Sequence, residues 1–242
     1  MTAVVISQPM FFPWVGLFEQ IRLADVYVHY DDVQFSKGSF VNRVQIKTAE
    51  GPRWLTVPLR DLHLGQPIRE VRVDDRLDWR AAHLAMLARH YAEAPHRDEM
   101  LDLVRAVYDQ PHPLLGGLAI ASMESVCRFF GLADPQTFRH AADLGIGGSG
   151  SERVLDIVRA LGGTTYVTGH GARRYLSHER FEAAGIRVDY MAYQRQPYPQ
   201  LHGAFDPHVS ILDLIANVGR EGIRNIASGT RHWREFINAA TP

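Results

Sequence analysis

A carboxylate pair, Asp31-Asp32, and two histidines, His83 and His170, stand where the sequence pattern puts groups able to do chemistry. Paired acids can hold a divalent cation, act as a base or grip sugar hydroxyls. A turn capped by Asp31 accounts for the same residues. Imidazole exchanges a proton near neutrality, which suits general-base work. His83 shares an i, i+4, i+7, i+11 spacing with Trp79, Met86 and His90, so it borders a stripe extended by Leu84, Leu87 and Tyr91. It reads either as a core histidine bonded to backbone or as a base reaching the sheet edge. His170 follows the strand-like "TTYVTG" and precedes a helix. Arg43 offers a planar fork for a carboxylate or phosphate, or a salt bridge to Asp31 or Asp32. "GGSGS" at 147–151 puts a glycine-rich turn before a helix, where backbone donors could cradle an anion. It lacks the P-loop lysine and the GxGxxG spacing, and Ser149 or Ser151 as a simple N-cap is the plainer reading.

Amides and rings form a second group. "QPMFFPW" at 8–14 brackets three large apolar residues with prolines, and "QRQPYPQLHGAF" repeats the flavour at 194–205. Two such loops suggest walls of a pocket for a flat or ring-shaped ligand, since aromatic faces and amide edges suit sugars and nucleosides. Gln8, Phe12, Trp14, Gln34, Asn42, Tyr198, Gln200 and Asn217 are its expected binding residues, and Phe11 is expected in the core. Cys127, beside Phe129 and Phe130 in an apolar helix, reads as packing rather than as a nucleophile. There is no GxSxG elbow.

The elements that must position these residues follow from periodicity. A short apolar run predicts a strand over 3–7, then a loop 8–13, a helix about 14–24 and a strand 26–31. "NRVQIKT" and "RWLTVPL" around "AEGP" predict a small β-hairpin. Helices are expected at 79–92 with Asp78 as N-cap, 97–109, and 114–130 closed by Gly131. Strands at "TFRHAAD", "TTYVTG" and "RVDYMAY" alternate with helices at 150–161, 171–176 and 178–184, and Ser210 with Asp213 has the spacing of a capping box. The expected architecture is one α/β domain over 1–242, with a Rossmann-like, mostly parallel sheet, flanking helices and an inserted helical region at about 78–131. Ligands bind such sheets outside the carboxyl ends of the strands, which is where Gln8 to Trp14 falls.

Composition narrows the class. A net charge of -1 with no basic stripe argues against a nucleic-acid partner. The single cysteine fits a reducing compartment, no segment has the length of a membrane span, and the expected location is the cytoplasm. Twelve histidines are scattered without HExxH or CxxC, so no metal is expected.

The order of strand, Pro/Phe turn, glycine and helix resembles the start of Rossmann-like nucleotidylyltransferases. Their two histidines separated by one glycine are missing here, and Trp14, Gly16 and Leu17 stand in that region. The sequence is more similar, nearly end to end, to the WbqC-like family. The resemblance rests on "QPMFFPWVGLF", "YDDVQFSKGSFVNR", "WLTVPL", "DWRAAHLAMLARHYAEAP" and "GGTTYVTGHGARRYL", with "GIRVDY", "PYPQ" and "VSILDLIANVG" following. It implies a bacterial biosynthetic enzyme of surface-polysaccharide or natural-product assembly. The implied reaction transfers an acyl or aminoacyl unit such as glycyl onto an amino group of a sugar or nucleotide-sugar-like acceptor. The donor implied is an acyl thioester, on coenzyme A or an acyl carrier protein. His83 or His170 would be the base with Asp32 beside them. Gln8, Asn42 or Arg43 would hold the oxyanion, and Asp31, Asp32 and Gln200 the acceptor hydroxyls. Adenylyl or nucleotidylyl transfer, or a non-catalytic sugar- or nucleotide-binding module, are the alternatives.

Overall fold

Val4, Val5 and Ile6 need cover on both sides, and β1 (Ala3–Ser7) meets that need at the centre of the main sheet. The computed structural model describes residues 1–239. After β1 come α1 (Val15–Arg22), β2 (Val26–His29), a hairpin of β3 (Arg43–Ile46) and β4 (Arg53–Thr56), and a short pair, β5 (Leu59–Arg60) and β6 (Arg72–Val73). The helical insertion is α2 (Trp79–His90), α3 (Arg97–Tyr108) and α4 (Leu115–Phe130). Then follow β7 (Phe138–His140), α5 (Gly150–Ala160), β8 (Thr165–Thr168), α6 (His178–Ala183), β9 (Arg187–Met191), α7 (Ile211–Val218), α8 (Ile223–Ile226), β10 (Thr230–His232) and α9 (Trp233–Ala239).

The main sheet runs β10-β9-β8-β1-β2-β7 and is parallel except for β10, which pairs antiparallel with β9. It is the expected mostly parallel α/β sheet with flanking helices. Alternation along β1 divides the core. Val5 joins Tyr27 and the helical insertion on one face, while Val4 and Ile6 join Val28, Val154 and Ile157 on the other. The chain adds β2 and β7 on one side of β1, then crosses over to add β8 and β9 on the other. The loops leaving β1 and β8 therefore diverge and open a crevice between them.

Local chemistry explains several boundaries. The Asp78 carboxylate accepts from the Ala81 amide at 3.1 Å and starts α2. Gly131, at φ 66°, ends α4, with Leu132 N–H returning to the Cys127 carbonyl at 3.0 Å. Ser210 caps α7 by accepting from the Leu212 amide at 3.1 Å. The capping box expected there is only half formed, because the Asp213 carboxylate turns to two tyrosine hydroxyls and the Ser210 amide donates to the Gln45 carbonyl. The helix expected at 171–176 is a 3-10 turn, His170–Arg174, and the antiparallel edge β10 was not foreseen.

Candidate functional site

The crevice between the β1 and β8 ends is a hollow of about 600 Å³. Ser7, Gln8 and Met10 line it after β1, and Thr168, Gly169 and Gly171 line it after β8. Its far wall is the start of α5, with Gly148, Ser149, Gly150 and Arg153. A smaller hollow of about 280 Å³ adjoins it, lined by Trp14, His170, Tyr193 and Arg195, and the two share Gln20 and Gly169. Sequence order explains this grouping. Most contributors leave the carboxyl end of a parallel strand or open the helix before one, and Gln20 reaches in from the body of α1.

His170 sits at the mouth of the smaller hollow, its Nε2 3.1 Å from the Met191 carbonyl and its ring 4.8 Å from that of Phe236. A carbonyl only accepts, so Nε2 carries the hydrogen and Nδ1 keeps the lone pair that can take a proton. Trp14 packs edge-on to Tyr193 at 5.7 Å and lies over Gly16, where any side chain would collide with its ring. Asp32 reaches the larger hollow through a partner, since its carboxylate accepts from Arg153 Nη2 at 2.5 Å. Arg153 also donates Nε to the Ile146 carbonyl and stacks 4.9 Å from the Tyr30 ring. Gln8, Trp14 and His170 thus line the hollows, and Asp32 supports the wall.

The remaining expected residues lie elsewhere. Asp31 is buried outside both hollows, with Oδ2 3.7 Å from His140 Nδ1. Gln34 is exposed and forms a bridge with Pro67. Asn42 donates to the Val57 carbonyl at 3.0 Å and fastens the hairpin. Arg43 donates to the Gly38 carbonyl and lies 4.2 Å over the Trp54 ring, so its alternative reading as a salt bridge to the Asp pair gives way to Arg153. Phe12 is 0% exposed, at φ 39°, with its ring 5.0 Å from Phe11. Ser122 Oγ accepts from its amide and Ser210 Oγ donates to its carbonyl. Those two bonds hold a backbone conformation that a bulky residue adopts at a cost of roughly 1–2 kcal/mol. Phe11 is in the core, as expected.

Tyr198, Gln200 and Asn217 belong to a buried polar network around Asp213 and Lys47. Tyr91 and Tyr198 hydroxyls donate to the two Asp213 oxygens at 2.8 and 2.9 Å. Lys47 Nζ donates to Gln200 Oε1 and to the Gly203 and Ala204 carbonyls. Asn217 donates to the Asp213 carbonyl and accepts from the Leu201 amide. This lattice ties the 198–206 loop to the hairpin and to α7.

His83 is enclosed by Phe11, Trp79 and Tyr108, and Tyr108 donates its hydroxyl to Nδ1 at 2.9 Å. Burial pushes its imidazole from the ordinary 6.5 down to about 4, partly offset by the Thr56 carbonyl. The unfolded chain binds that proton near 6.5, so between the two values it holds more protons than the folded state. The stability tied to His83 is therefore full above pH 6.5 and is lost as pH falls toward 4, by about 3 kcal/mol for this one group. Urea midpoints at pH 7 and pH 4.5 check this. His83→Phe is expected to flatten the pH dependence, and an unchanged dependence contradicts the assignment. Cys127 is likewise sealed in, and burial pushes its thiol well up, away from nucleophilic use.

Gln20, Tyr30, Arg153, Thr168, Tyr193 and Arg195 also line the hollows, and the sequence pattern does not single them out. Tyr30 sits next to the flagged Asp pair and Arg153 three residues into the flagged helix start, so proximity to a motif was the available signal. Gln20 lies between Phe18 and Ile21 on α1, and nothing local distinguishes it from a helix-surface amide. Among the described residues no helix is long and apolar enough to cross a membrane, and no group of three or more His, Cys, Asp or Glu is set to hold a metal ion.

Comparison with known proteins identifies the family. Residues 8–225 match the WbqC-like protein family. The chain is also similar to the uncharacterized protein Rv1507c of Mycobacterium tuberculosis (strain ATCC 25618 / H37Rv), 34% identical over 224 residues that cover 91% of this chain and 96% of that protein. No solved structure matches. The chain belongs to the WbqC-like protein family.

Proposed function

We propose that the chain is an N-acyl or aminoacyl transferase of glycan or natural-product assembly, working in the paired hollows at the β1 and β8 ends. The observation that carries this reading is the meeting of His170, its tautomer set by Met191, with the uncommitted Gln8 and Gln20 amides around one two-part crevice. A two-part crevice suits a reaction that joins two substrates. An acceptor amine attacks the carbonyl carbon of an acyl thioester, forming a C–N bond. His170 Nδ1 takes the amine proton, and the amide N–H groups of Gln8 receive the charge developing on the carbonyl oxygen. The C–S bond then breaks, and the proton passes from His170 to the departing thiolate. Asp32 holds Arg153 in the wall while this happens.

Incubation with a UDP- or dTDP-linked amino sugar and thioesters of acetate or glycine tests the reading. The expected result is an N-acylated sugar by mass, with free thiol released in equal amount and no need for ATP. Release of pyrophosphate from ATP with no product from thioesters would overturn it in favour of adenylyl transfer.

A further inference from the structure

Gln20 is only 8% exposed, yet among the described residues its side-chain amide has no hydrogen-bond partner. It lines both hollows, and its Nε2 stands so close to Gly169 that a Cβ there would come within 2.6 Å. The amide is not sealed in protein but opens into the hollows, so a ligand entering there meets a donor and an acceptor that no other described residue engages. Across the same hollow, α5 begins without a side-chain cap. Ser149 occupies the N-cap position but makes no capping bond, and Ser151 Oγ instead accepts from the Ser177 amide. Gly148 and Gly150, at φ 89° and 61°, curve the backbone into the hollow wall. The first-turn N–H groups are left open to an anion at the positive end of the helix.

The surrounding charges agree in sign. Asp32 is neutralised by Arg153, and Glu152 of the first turn is paired with Arg180. Arg173 and Arg174 follow Gly171 on an exposed turn and, among the described residues, have no carboxylate within ion-pair distance. Arg195 in the smaller hollow has its Nη1 3.4 Å from His208 Nε2 and, among the described residues, no carboxylate within ion-pair distance. We infer that the larger hollow seats a phosphate or diphosphate group carried by one of the two substrates, held by Gln20 and the α5 N-terminus and drawn in by Arg173 and Arg174. Its description as a substrate group rests on the transferase reading. The phosphate site itself does not.

Titration calorimetry on the full chain with pyrophosphate, UDP and 4′-phosphopantetheine tests this. Wild type is expected to bind all three, and Q20E, which adds a negative charge at nearly constant shape, to bind at least tenfold more weakly. The exposed double variant R173E/R174E, which alters no packed group, is expected to weaken binding several-fold, so a Q20E folding defect would leave the test intact. UDP binding more tightly than phosphopantetheine places the phosphate on the acceptor, and the reverse places it on the donor. No binding to wild type, or equal binding by both variants, overturns the inference. Phosphate binding without amide formation would defeat only the transferase reading, and amide formation without phosphate binding only this one.

Discussion

Replacing Asp213 with leucine is expected to destabilise the fold by about 3–5 kcal/mol, although the residue lies outside both hollows. Its carboxylate is 0% exposed and accepts from Tyr91 and Tyr198, themselves buried. Leucine has similar bulk but leaves two hydroxyl donors without an acceptor in a dry interior, at roughly 1–3 kcal/mol each. Burial pushes the Asp213 carboxyl up, while the two hydroxyls and Lys47 pull it down. Asp213→Asn keeps one acceptor oxygen and is expected to lose about half as much. The damage would also spread toward the crevice, because α7 begins at Ser210, which holds the Phe12 carbonyl, and Ile211 N–H donates to the Pro13 carbonyl. Urea denaturation measures the loss. A leucine variant within 1 kcal/mol of wild type, about the size of one ordinary hydrogen bond, would show that the network is not a stabilising tie.

Much of the fold was legible because burial writes itself into periodicity. The apolar runs at β1 and β8 and the amphipathic α5 could take few other forms, and the glycines at 131 and 162–163 mark helix ends. The edge β10 was not legible, because three residues with exposed or half-buried side chains leave no pattern. The site was legible in outline only. The rule that ligands bind at strand carboxyl ends brought Gln8, Trp14 and His170 to the crevice. It also put Asp32 close by, but its partner Arg153 lies 121 residues away, a pairing no local spacing encodes. The loop at 194–205 shows the opposite failure. Tyr198 and Gln200 have a pocket's composition, yet they are committed to Lys47 and Asp213, because the same residue types that grip a ligand also satisfy a buried charge. His83 had the spacing of a stripe, and its neighbours Trp79, Leu87 and Tyr91 proved to be core.

On the proposed reading, chemistry resides at the β1–β8 crevice and His170 moves the proton there. The most direct test is the initial rate of amide formation by His170→Gln beside that of His83→Phe, each at a temperature where circular dichroism shows a native fold. Glutamine at 170 retains an amide near the Met191 carbonyl but has no nitrogen able to take a proton. The predicted result is a loss of about 10²- to 10⁴-fold for His170→Gln, with the helical signal unchanged. His83→Phe should keep a rate within a few-fold of wild type while losing its acid-sensitive stability. A His170→Gln protein that forms amide at the wild-type rate, or a folded His83→Phe protein that forms none, would contradict the account.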